Sequence, residues 1–293
     1  MGSLFGHEVA SELALERLNG VPGPRGRLEV RRAGADPLEA HAELTAWSEI
    51  EGRTFAVARR PRGELVVSCS VTGAWSADPG EGVVEALPAP GVPATSIEHR
   101  LVSVIIPLLL AERGDLVIHA SAVDTEEGAV LFAGPSGRGK STTVAALARA
   151  GLPTLAEDGL VVELAGDGPL AWPGARGIRL KGPGEAAGTA GLDYPPGLAR
   201  TSDAPAEGRP VAAVVALAPR GGSLTLDALT PGEGAAVLGS SLFHRGGPEG
   251  LRPAFGSLAR LVEAVPAYLC SLPDDLAALA DAAPEVVDRV SGR

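Results

Sequence analysis

The sequence predicts an α/β protein built around a phosphate-binding loop, with a small β-rich module before the loop and helices after it. One observation is the segment 134–141, which has the form Gly-x-x-x-x-Gly-Lys-Ser. The second is its context, because 128–133 is a short apolar run typical of a buried strand and 142–150 has helical composition before Gly151. Strand, loop and helix in this order are what the motif needs to bind phosphate. This agreement argues against an ordinary glycine-rich turn.

Each residue type in the loop has a chemical reason to be there. Glycine lets backbone N–H groups approach phosphate oxygens without a side-chain clash, and the following helix directs its positive end at the same oxygens. Lys140 supplies a charge for the outer phosphates, and Ser141 supplies a hydroxyl for Mg²⁺. Lysine is rare, since Lys140 and Lys181 are the two in the chain, and one of them stands where the motif requires it. The predicted nucleotide-binding residues are Gly134, Pro135, Ser136, Gly137, Arg138, Gly139, Lys140, Ser141 and Thr142.

Bulk composition narrows the class of protein. A chain of 293 residues with 45% hydrophobic residues suits one large domain or two ordinary ones. A net charge of −11 argues against a nucleic-acid partner or an anionic membrane. The isolated Cys69 and Cys270 indicate reduced thiols rather than a disulfide or metal framework. Residues 1–20 lack the apolar core of a signal peptide and the run 101–111 is too short to span a bilayer, so we expect a cytoplasmic protein.

The first third of the chain has the pattern of a small β-rich module. Residues 4–90 contain strand-like runs at 27–31 and 64–68 between Gly- and Pro-rich turns. The acidic, proline-rich stretch 80–93 is typical of a linker, which places a domain boundary after residue 95 and divides the chain into 1–95 and 96–293. A helical pattern follows at 96–114, and Pro107 is expected to kink it or end it early.

The segments around the loop alternate between strands and turns. A strand at 115–123 is followed by a turn and the strand that enters the loop, so the two are expected to pair as a hairpin. Such a hairpin is unusual beside a phosphate loop, since ordinary phosphate-loop ATPases use parallel crossovers. Residues 154–156 are expected to form a short strand that 161–164 continues, and 169–208 has an irregular composition typical of a substrate loop or of disorder.

The last quarter of the chain predicts a second strand pair and three helices. The apolar run 211–217 is a buried strand, and the alternating run 223–229 is expected to pair with it. A capping box at 230–233 opens a helix to about residue 243. Two more helices are expected near 258–265 and 274–282.

Two features near the loop suggest chemistry beyond nucleotide binding. Glu157 and Asp158 end a short strand, and adjacent residues at a strand end point in different directions. One carboxylate can therefore face a metal while the other accepts a proton from an attacking hydroxyl, although a solvated acidic turn would look the same. His119 interrupts an apolar strand next to the loop strand, where it is either a core histidine or a catalyst.

These residues resemble the HPr kinase/phosphorylase family, and more closely its shorter relatives, some of which phosphorylate a serine of a precursor peptide. The resemblance is carried by Val-Ile-His-Ala-Ser-Ala-Val at 117–123, by the loop at 134–141 and by Leu-Ala-Glu-Asp at 155–158. The intervals between these segments agree with the family, as does the opening at 5–13. A weaker likeness covers most of the chain, including 209–215.

The resemblance implies a phosphoenolpyruvate-carboxykinase-like α/β core that transfers a phosphoryl group from ATP to a serine hydroxyl with Mg²⁺. By position, Lys140 would bind the phosphates, and Ser141 and Asp158 would bind the metal. Glu157 stands where the family has its catalytic aspartate, and His119 stands at its active-site histidine. The implied partners are a nucleotide and a peptide or protein with an acceptor serine. A homo-oligomer is also compatible with the resemblance.

Glu157 departs from the family pattern of two aspartates. Glutamate is one methylene longer, and a misplacement of about 1 Å can cost on the order of 100-fold in rate. The longer C-terminal signature of true HPr kinases is also absent, which argues against HPr as the substrate. A small-metabolite kinase, a nucleotide-binding regulatory module and a simple NTP hydrolase therefore stay open as alternatives.

Further cations in the sequence are weaker candidates for charge neutralisation. Arg209, His244 and Arg245 lie near predicted element ends, where dipole pairing or solvation is the simpler explanation. Lys181 lies in the irregular region, where it is a candidate for contact with substrate.

Overall fold

The computed structural model describes residues 2–20, 23–39, 43–50, 53–180, 198–199, 207–243 and 248–292. Over these residues the chain is a mixed α/β protein with two mixed β-sheets and a two-stranded ribbon. The first sheet comes before the phosphate loop in the sequence, and the second contains the strand that enters the loop.

The first sheet has eight strands and begins almost at the N-terminus. Its strands are β1 Gly2–Leu4, β2 His7–Ser11, β3 Arg27–Arg32, β4 Glu43–Ile50, β5 Arg53–Arg59, β6 Leu65–Cys69, β7 Gly73–Asp78 and β8 Val83–Pro88. Their order is β1-β2-β3-β8-β7-β6-β5-β4, and β3 is parallel to both β2 and β8. The strands predicted at 27–31 and 64–68 are confirmed as β3 and β6.

The predicted linker at 80–93 is wrong. Its middle forms β8, which pairs with β3 and β7 inside the first sheet. Val84 and Ala86 face the core and are fully buried, whereas their neighbours Val83, Glu85 and Leu87 are half-buried. The two-residue alternation was therefore present, but the acidic and proline-rich flanks hid it.

A broken helix connects the two sheets. It consists of α1 Ala94–Arg100, a π-helical turn Leu101–Ile105 and α2 Ile106–Glu112. Pro107 does not end the helix early: the turn just before it, Leu101–Ile105, is π-helical, and the helix then continues to Glu112. A proline lacks the N–H that an inner helical position needs, and a local change in hydrogen bonding accommodates it.

The helical stretch Ala94–Glu112 is long and apolar enough to cross a membrane by length and composition, with a mean hydropathy of 1.4. It is longer than the apolar run at 101–111 alone. However, 56% of its most apolar window is buried inside the protein. Its side chains pack on those of the first sheet, including Trp75 and Leu28, so the apolar composition is explained by burial in the core.

The second sheet carries the phosphate loop. Its strands are β9 Leu116–Ile118, β10 Ala120–Thr125, β11 Gly128–Ala133, β12 Thr154–Ala156, β13 Leu160–Ala165, β14 Gly168–Trp172, β17 Arg209–Leu217, β18 Thr225–Leu229 and β19 Ala267–Ser271, while β15 Ile178–Arg179 and β16 Leu198–Ala199 form the ribbon. The predicted hairpin is confirmed, because β10 and β11 pair antiparallel from Ala120 opposite Ala133 to Thr125 opposite Gly128. On its other side β11 pairs in parallel with β17, and β17 in parallel with β19.

Three details of this sheet differ from the sequence-based expectations. The run 223–229 forms β18 but pairs with β19 rather than with β17, because β19 lies between them. The run 161–164 lies in a new strand, β13, which pairs with β9 and β14. Part of the supposedly irregular region is β14, whereas 181–197 lies outside the described residues.

Helices cover both faces of the second sheet. They are α3 Lys140–Arg149, α4 Pro231–Leu238 with a 3₁₀ turn at Gly239–Ser241, α5 Pro248–Ala264 and α6 Leu276–Val290. Val130 and Phe132 of β11 pack with α3 and α6, and the alternate residues Leu131 and Ala133 pack with α4 and α5. Burial on both faces explains why β11 is continuously apolar. The predicted helices at 230–243, 258–265 and 274–282 are confirmed with shifted ends.

The division of the chain at residue 95 stays a prediction. The hydrophobic core of the first sheet includes side chains from both sides of that position, among them Trp75, Leu109 and Trp172. The connecting helix therefore belongs to the packing of the first sheet although it follows the predicted boundary.

Candidate active site

The phosphate loop lies at the carboxyl end of β11, the end of a parallel strand at which ligands bind in open α/β sheets. Gly134, Gly137 and Gly139 have φ values of 148°, 84° and 89°, which side-chain-bearing residues rarely adopt. Gly139 is also the N-cap of α3. The loop therefore has the backbone that a phosphate cradle at a helix N-terminus requires.

Lys140 is the first residue of α3, and only 6% of its surface is exposed. Its Nζ donates hydrogen bonds to the carbonyl oxygens of Gly134 at 2.8 Å and Pro135 at 3.2 Å. Burial lowers the pKa of Lys140 to about 8, although the nearby carboxylates of Asp158 and Glu157 oppose the shift. The ammonium group is thus held at the loop by its own carbonyls.

Arg220 lies directly against the loop and was not predicted from the sequence. A Cβ atom at Gly139 would come within 2.4 Å of Arg220 Nη2. Arg220 follows β17, the parallel neighbour of the loop strand, so the common end of the two strands brings it here. Its Nη1 donates to the carbonyl of Pro273 at 3.1 Å, and burial lowers the pKa of its guanidinium.

Glu157 follows β12, which pairs with β10 on the side away from β11 and ends at the same end of the sheet as the loop. Ser141 Oγ donates a hydrogen bond to Glu157 Oε1 at 2.9 Å. The other carboxylate oxygen, Oε2, is buried and has no hydrogen-bond partner among the described residues. Burial and, to a smaller extent, Asp158 raise the pKa of Glu157 to about 7, against the opposing effects of Arg17 and Ser141.

This arrangement fits a Mg²⁺ ion. The Ser141 hydroxyl and a buried carboxylate, one oxygen of which accepts no hydrogen bond among the described residues, lie side by side where the loop would hold phosphates. Within the described part of the chain no group of three or more His, Cys, Asp and Glu side chains forms a metal cluster. That is compatible with Mg²⁺, which takes one or two protein ligands and completes its shell with water and phosphate oxygens.

Asp158 has a left-handed backbone, with φ of 69°. Non-glycine residues in this conformation are strained and concentrate at functional sites. The turn it makes with Gly159 directs the Asp158 side chain, which is 29% exposed, into the same cavity as Lys140. Burial disfavours its charge, but His119, His99 and Lys140 outweigh that effect and hold the pKa of Asp158 below its usual value.

His119 stands at a break between β9 and β10. Its backbone N–H donates to the carbonyl of Ser241 at 2.6 Å, outside either strand ladder, while the chain moves from pairing with β13 to pairing with β11 and β12. Its Nδ1 donates to the carbonyl of Asp158 at 2.7 Å and lies 3.4 Å from the Oδ1 of that residue. His119 therefore supports the strained turn and faces the Asp158 carboxylate.

His99 of α1 is a second histidine in the site that sequence reasoning missed. Its Nδ1 accepts a hydrogen bond from Arg17 Nη1 at 3.3 Å, so its proton lies on Nε2, which is 3.9 Å from Asp158 Oδ2. Burial lowers the pKa of His99 to about 3 in spite of Asp158. A lone histidine in a helix more than 30 residues before the loop carries no local signal for this position.

The predicted site residues converge on one cavity of about 230 Å³. Predicted residues that line it are His119, Ser136, Gly137, Gly139, Lys140, Ser141, Thr142, Glu157 and Asp158, and the additional lining residues are His99, Arg179 and Leu180. Gly134, Pro135 and Arg138 belong to the loop without lining the cavity.

Of the weaker cationic candidates, Arg209 lies among the described residues and does not line this cavity. Arg209 lies at the start of β17, the opposite end from the loop, and pairs with Asp124 and the carbonyl of Thr125. Lys181, His244 and Arg245 lie outside the described residues.

Comparisons with known proteins add no family to this geometry: a scan against protein-family profiles found no match, and a search of curated proteins found no significant relative.

Proposed function

We propose that this chain is an ATP- and Mg²⁺-dependent kinase that transfers a phosphoryl group to a hydroxyl, with a serine of a peptide or protein as the acceptor. The observation that carries the proposal is the convergence of three groups in one cavity. These are the phosphate loop with Lys140, the Ser141–Glu157 pair, and the partly exposed carboxylate of Asp158 against His119. Phosphoryl transfer needs a phosphate cradle, a place for metal and a group that accepts the hydroxyl proton.

The proposed core is of the HPr-kinase and phosphoenolpyruvate-carboxykinase type. Support comes from the antiparallel hairpin of β10 and β11, which places a histidine-bearing segment and the acidic strand end beside the loop. The parallel neighbours β17 and β19 leave the carboxyl ends of three strands together at the loop. The specific family remains part of the proposal.

The two carboxylates have different surroundings, which favour a division of roles. Ser141 and Glu157 would hold Mg²⁺, which supplies charge neutralisation at the transferring phosphate. Asp158 is more exposed than Glu157 and lines the cavity, so its carboxylate can reach the acceptor hydroxyl and accept its proton. The resemblance alone assigned these roles the other way round, with Glu157 as the base and Asp158 on the metal.

The remaining residues of the site would stabilise the transfer. As the acceptor oxygen bonds to the γ-phosphorus, the bond to the β-phosphate oxygen breaks and its electrons stay with ADP. Lys140 and the N–H groups of the loop would stabilise the charge on the phosphoryl oxygens, and Asp158 would hold the released proton. His119 positions Asp158 through the hydrogen bond to its carbonyl.

The test is a transfer assay with labelled ATP, a library of serine-containing peptides and varied Mg²⁺. For Asp158→Asn we expect a loss of transfer of at least 100-fold at saturating Mg²⁺, because the base is gone. For Glu157→Gln we expect a raised Mg²⁺ requirement, because a charged ligand is gone. Asp227→Asn, an exposed residue of β18, is the matched acidic control and should leave both quantities unchanged.

Other results would redirect the proposal. If Asp158→Asn shifts the Mg²⁺ requirement and Glu157→Gln abolishes transfer with an unchanged requirement, the roles are those that the resemblance assigned. Tight ATP binding that Lys140→Ala abolishes, without transfer to any acceptor, would favour a regulatory nucleotide-binding module. Steady phosphate release without a phosphorylated product would favour a hydrolase.

A further inference from the structure

Arg17 reaches the candidate active site from the N-terminal segment, far from the phosphate loop in sequence. Its side chain is 4% exposed, and all three of its nitrogens have neighbours. Nε donates to the carbonyl of Arg176 at 2.7 Å and Nη2 to the carbonyl of Gly177 at 2.9 Å. These contacts hold the plane of the guanidinium in one orientation.

The same guanidinium faces both halves of the acidic pair. Its Nη2 lies 3.7 Å from Glu157 Oε2, the carboxylate oxygen turned away from Ser141. Its Nη1 donates to His99 Nδ1 at 3.3 Å, and the opposite nitrogen of that ring faces Asp158. One side chain therefore borders Glu157 directly and Asp158 through one histidine.

The position of Arg17 is itself fixed by the helix that carries His99. Glu98 Oε1 accepts the backbone N–H groups of Glu16 at 2.6 Å and Arg17 at 2.7 Å. Glu98 is 3% exposed, so these are buried, charge-assisted hydrogen bonds. The carbonyl of Arg17 also accepts the N–H of Arg176 at 2.7 Å. Both the backbone and the side chain of Arg17 are therefore fixed by buried hydrogen bonds, which packing at the surface would not require.

We propose, on the basis of the proposed kinase function, that Arg17 is a positioning residue supplied by the N-terminal segment, which orients Glu157 toward Ser141 and, through His99, orients the Asp158 carboxylate. The connection between β2 and β3 of the first sheet, which carries Arg17, then contributes to the phosphoryl-transfer site. Arg17 acts through these neighbours and is not itself placed on the substrate.

The first experiment is a double-mutant cycle read by thermal unfolding, which needs neither nucleotide nor acceptor. Arg17→Gln should lower Tm by several degrees, because the buried Glu157 carboxylate loses its neighbouring cation. In the Glu157→Gln background the same change should lower Tm by less than half as much. Arg25→Gln is the control, because Arg25 lies in the same segment but pairs with Asp115 outside the site, so it should be additive with Glu157→Gln.

The second experiment compares kcat and KM for Mg·ATP in the transfer assay, below the unfolding temperature of every variant. Arg17→Gln should lower kcat by about 10- to 100-fold with KM changed by less than about threefold, because orientation and not nucleotide contact is lost. Arg17→Lys, which keeps the charge and guards against a variant that does not fold, should recover part of kcat. Arg25→Gln should keep kcat even where it lowers Tm.

The outcomes separate this inference from the function on which it rests. If the Tm changes of Arg17→Gln and Glu157→Gln are additive, the proposed role of Arg17 is wrong. The same follows if the protein transfers phosphate and Arg17→Gln has a normal kcat, and in both cases the proposed kinase function is unaffected. Coupled Tm changes in a chain that binds ATP but transfers to no acceptor overturn the kinase, and with it the catalytic purpose of Arg17.

Discussion

Glu157 and Asp158 are neighbours in sequence but have opposite environments. Glu157 lies at the end of β12, is buried and accepts a hydrogen bond from Ser141. Asp158 turns into a left-handed conformation and carries its shorter side chain toward the cavity and two histidines. Carboxylates whose environments separate their pKa values are suited to different chemical tasks. In the proposed mechanism the longer glutamate side chain therefore reaches the loop hydroxyl of Ser141, and Asp158 rather than Glu157 is the base.

Two loop glycines form a matched pair for testing the proposed binding of phosphate by the loop backbone. Gly137 and Gly139 both have positive φ, but a Cβ at Gly137 meets open space, whereas one at Gly139 meets the Arg220 guanidinium. We expect Gly137→Ala to cost about 1–2 kcal/mol of backbone strain with a modest loss of ATP affinity. We expect Gly139→Ala to weaken ATP binding by at least tenfold more, measured by titration with a fluorescent ATP analogue.

The double variant Gly139→Ala, Arg220→Ala tests the steric part of this prediction. Removing the guanidinium should restore some of the Tm lost in Gly139→Ala, because the clash is with that side chain. Equal losses of affinity in the two glycine variants would contradict the importance of the Arg220 contact.

The helix that connects the sheets contributes to both the core and the site. One side of Ala94–Glu112 packs in the core of the first sheet, while His99 and Glu98 in its first part organise Arg17 and Asp158. The π turn at Leu101–Ile105 follows immediately, and such turns are frequent at functional sites. Ser103 within it has its Oγ 3.2 Å from His99 Nδ1. The π turn therefore accommodates Pro107 and places Ser103 next to His99.

The capping box of α4 provides a prediction on stability alone. Thr230 accepts the N–H of Glu233, and the Glu233 carboxylate accepts the N–H of Thr230 at 2.9 Å. Thr230→Ala should cost about 1 kcal/mol and lower Tm by about 2–4 °C, because the backbone N–H of Glu233 loses its acceptor, the Thr230 hydroxyl. Thr230→Ser keeps the cap and should melt close to wild type. Unchanged Tm in Thr230→Ala, measured by circular dichroism, would show that packing of α4 makes its cap dispensable.

The whole molecule shows which parts of the structure follow from local sequence. The loop, the hairpin and the acidic strand end were predicted because all three lie in the segment 115–158 and each has a local pattern. The patterns are the glycines of the loop, the two apolar runs of the hairpin and the adjacent carboxylates of the strand end. Arg17, His99 and Arg220 were missed because only tertiary packing brings them to the loop, and no local pattern marks them. β8 was missed because the acidic residues and prolines in and around it concealed the alternation of Val84 and Ala86. β18 was given the wrong neighbour because β19, its true partner, comes almost 40 residues later in the chain.

The two sheets meet near the N-terminus at a buried histidine. His7 of β2 is 4% exposed, and its Nδ1 donates to the carbonyl of Phe5 at 3.2 Å. The N–H of Phe5 in turn donates to the carbonyl of Pro173, which follows β14 of the second sheet. Burial and, to a smaller extent, the charges of Arg25 and Arg113 lower the pKa of His7 to about 4, against the opposing effects of the Phe5 carbonyl and Asp115. The packing of the two sheets thus includes a histidine that is neutral at neutral pH.

This histidine gives the stability of the molecule a definite dependence on pH. Unfolded histidine has a pKa of about 6.5, so between about pH 6.5 and 4 the unfolded chain binds a proton at His7 that the folded chain does not. The stabilisation is therefore complete above pH 6.5 and falls as the pH decreases, by at most about 1.4 kcal/mol per pH unit for this group. His7→Gln keeps a donor for the Phe5 carbonyl but cannot be protonated, so its free energy of unfolding should fall less steeply over this range. Urea unfolding of both proteins at pH 7.5, 6, 5 and 4.5 measures the difference, and parallel curves would mean that His7 is not the group that responds to acid.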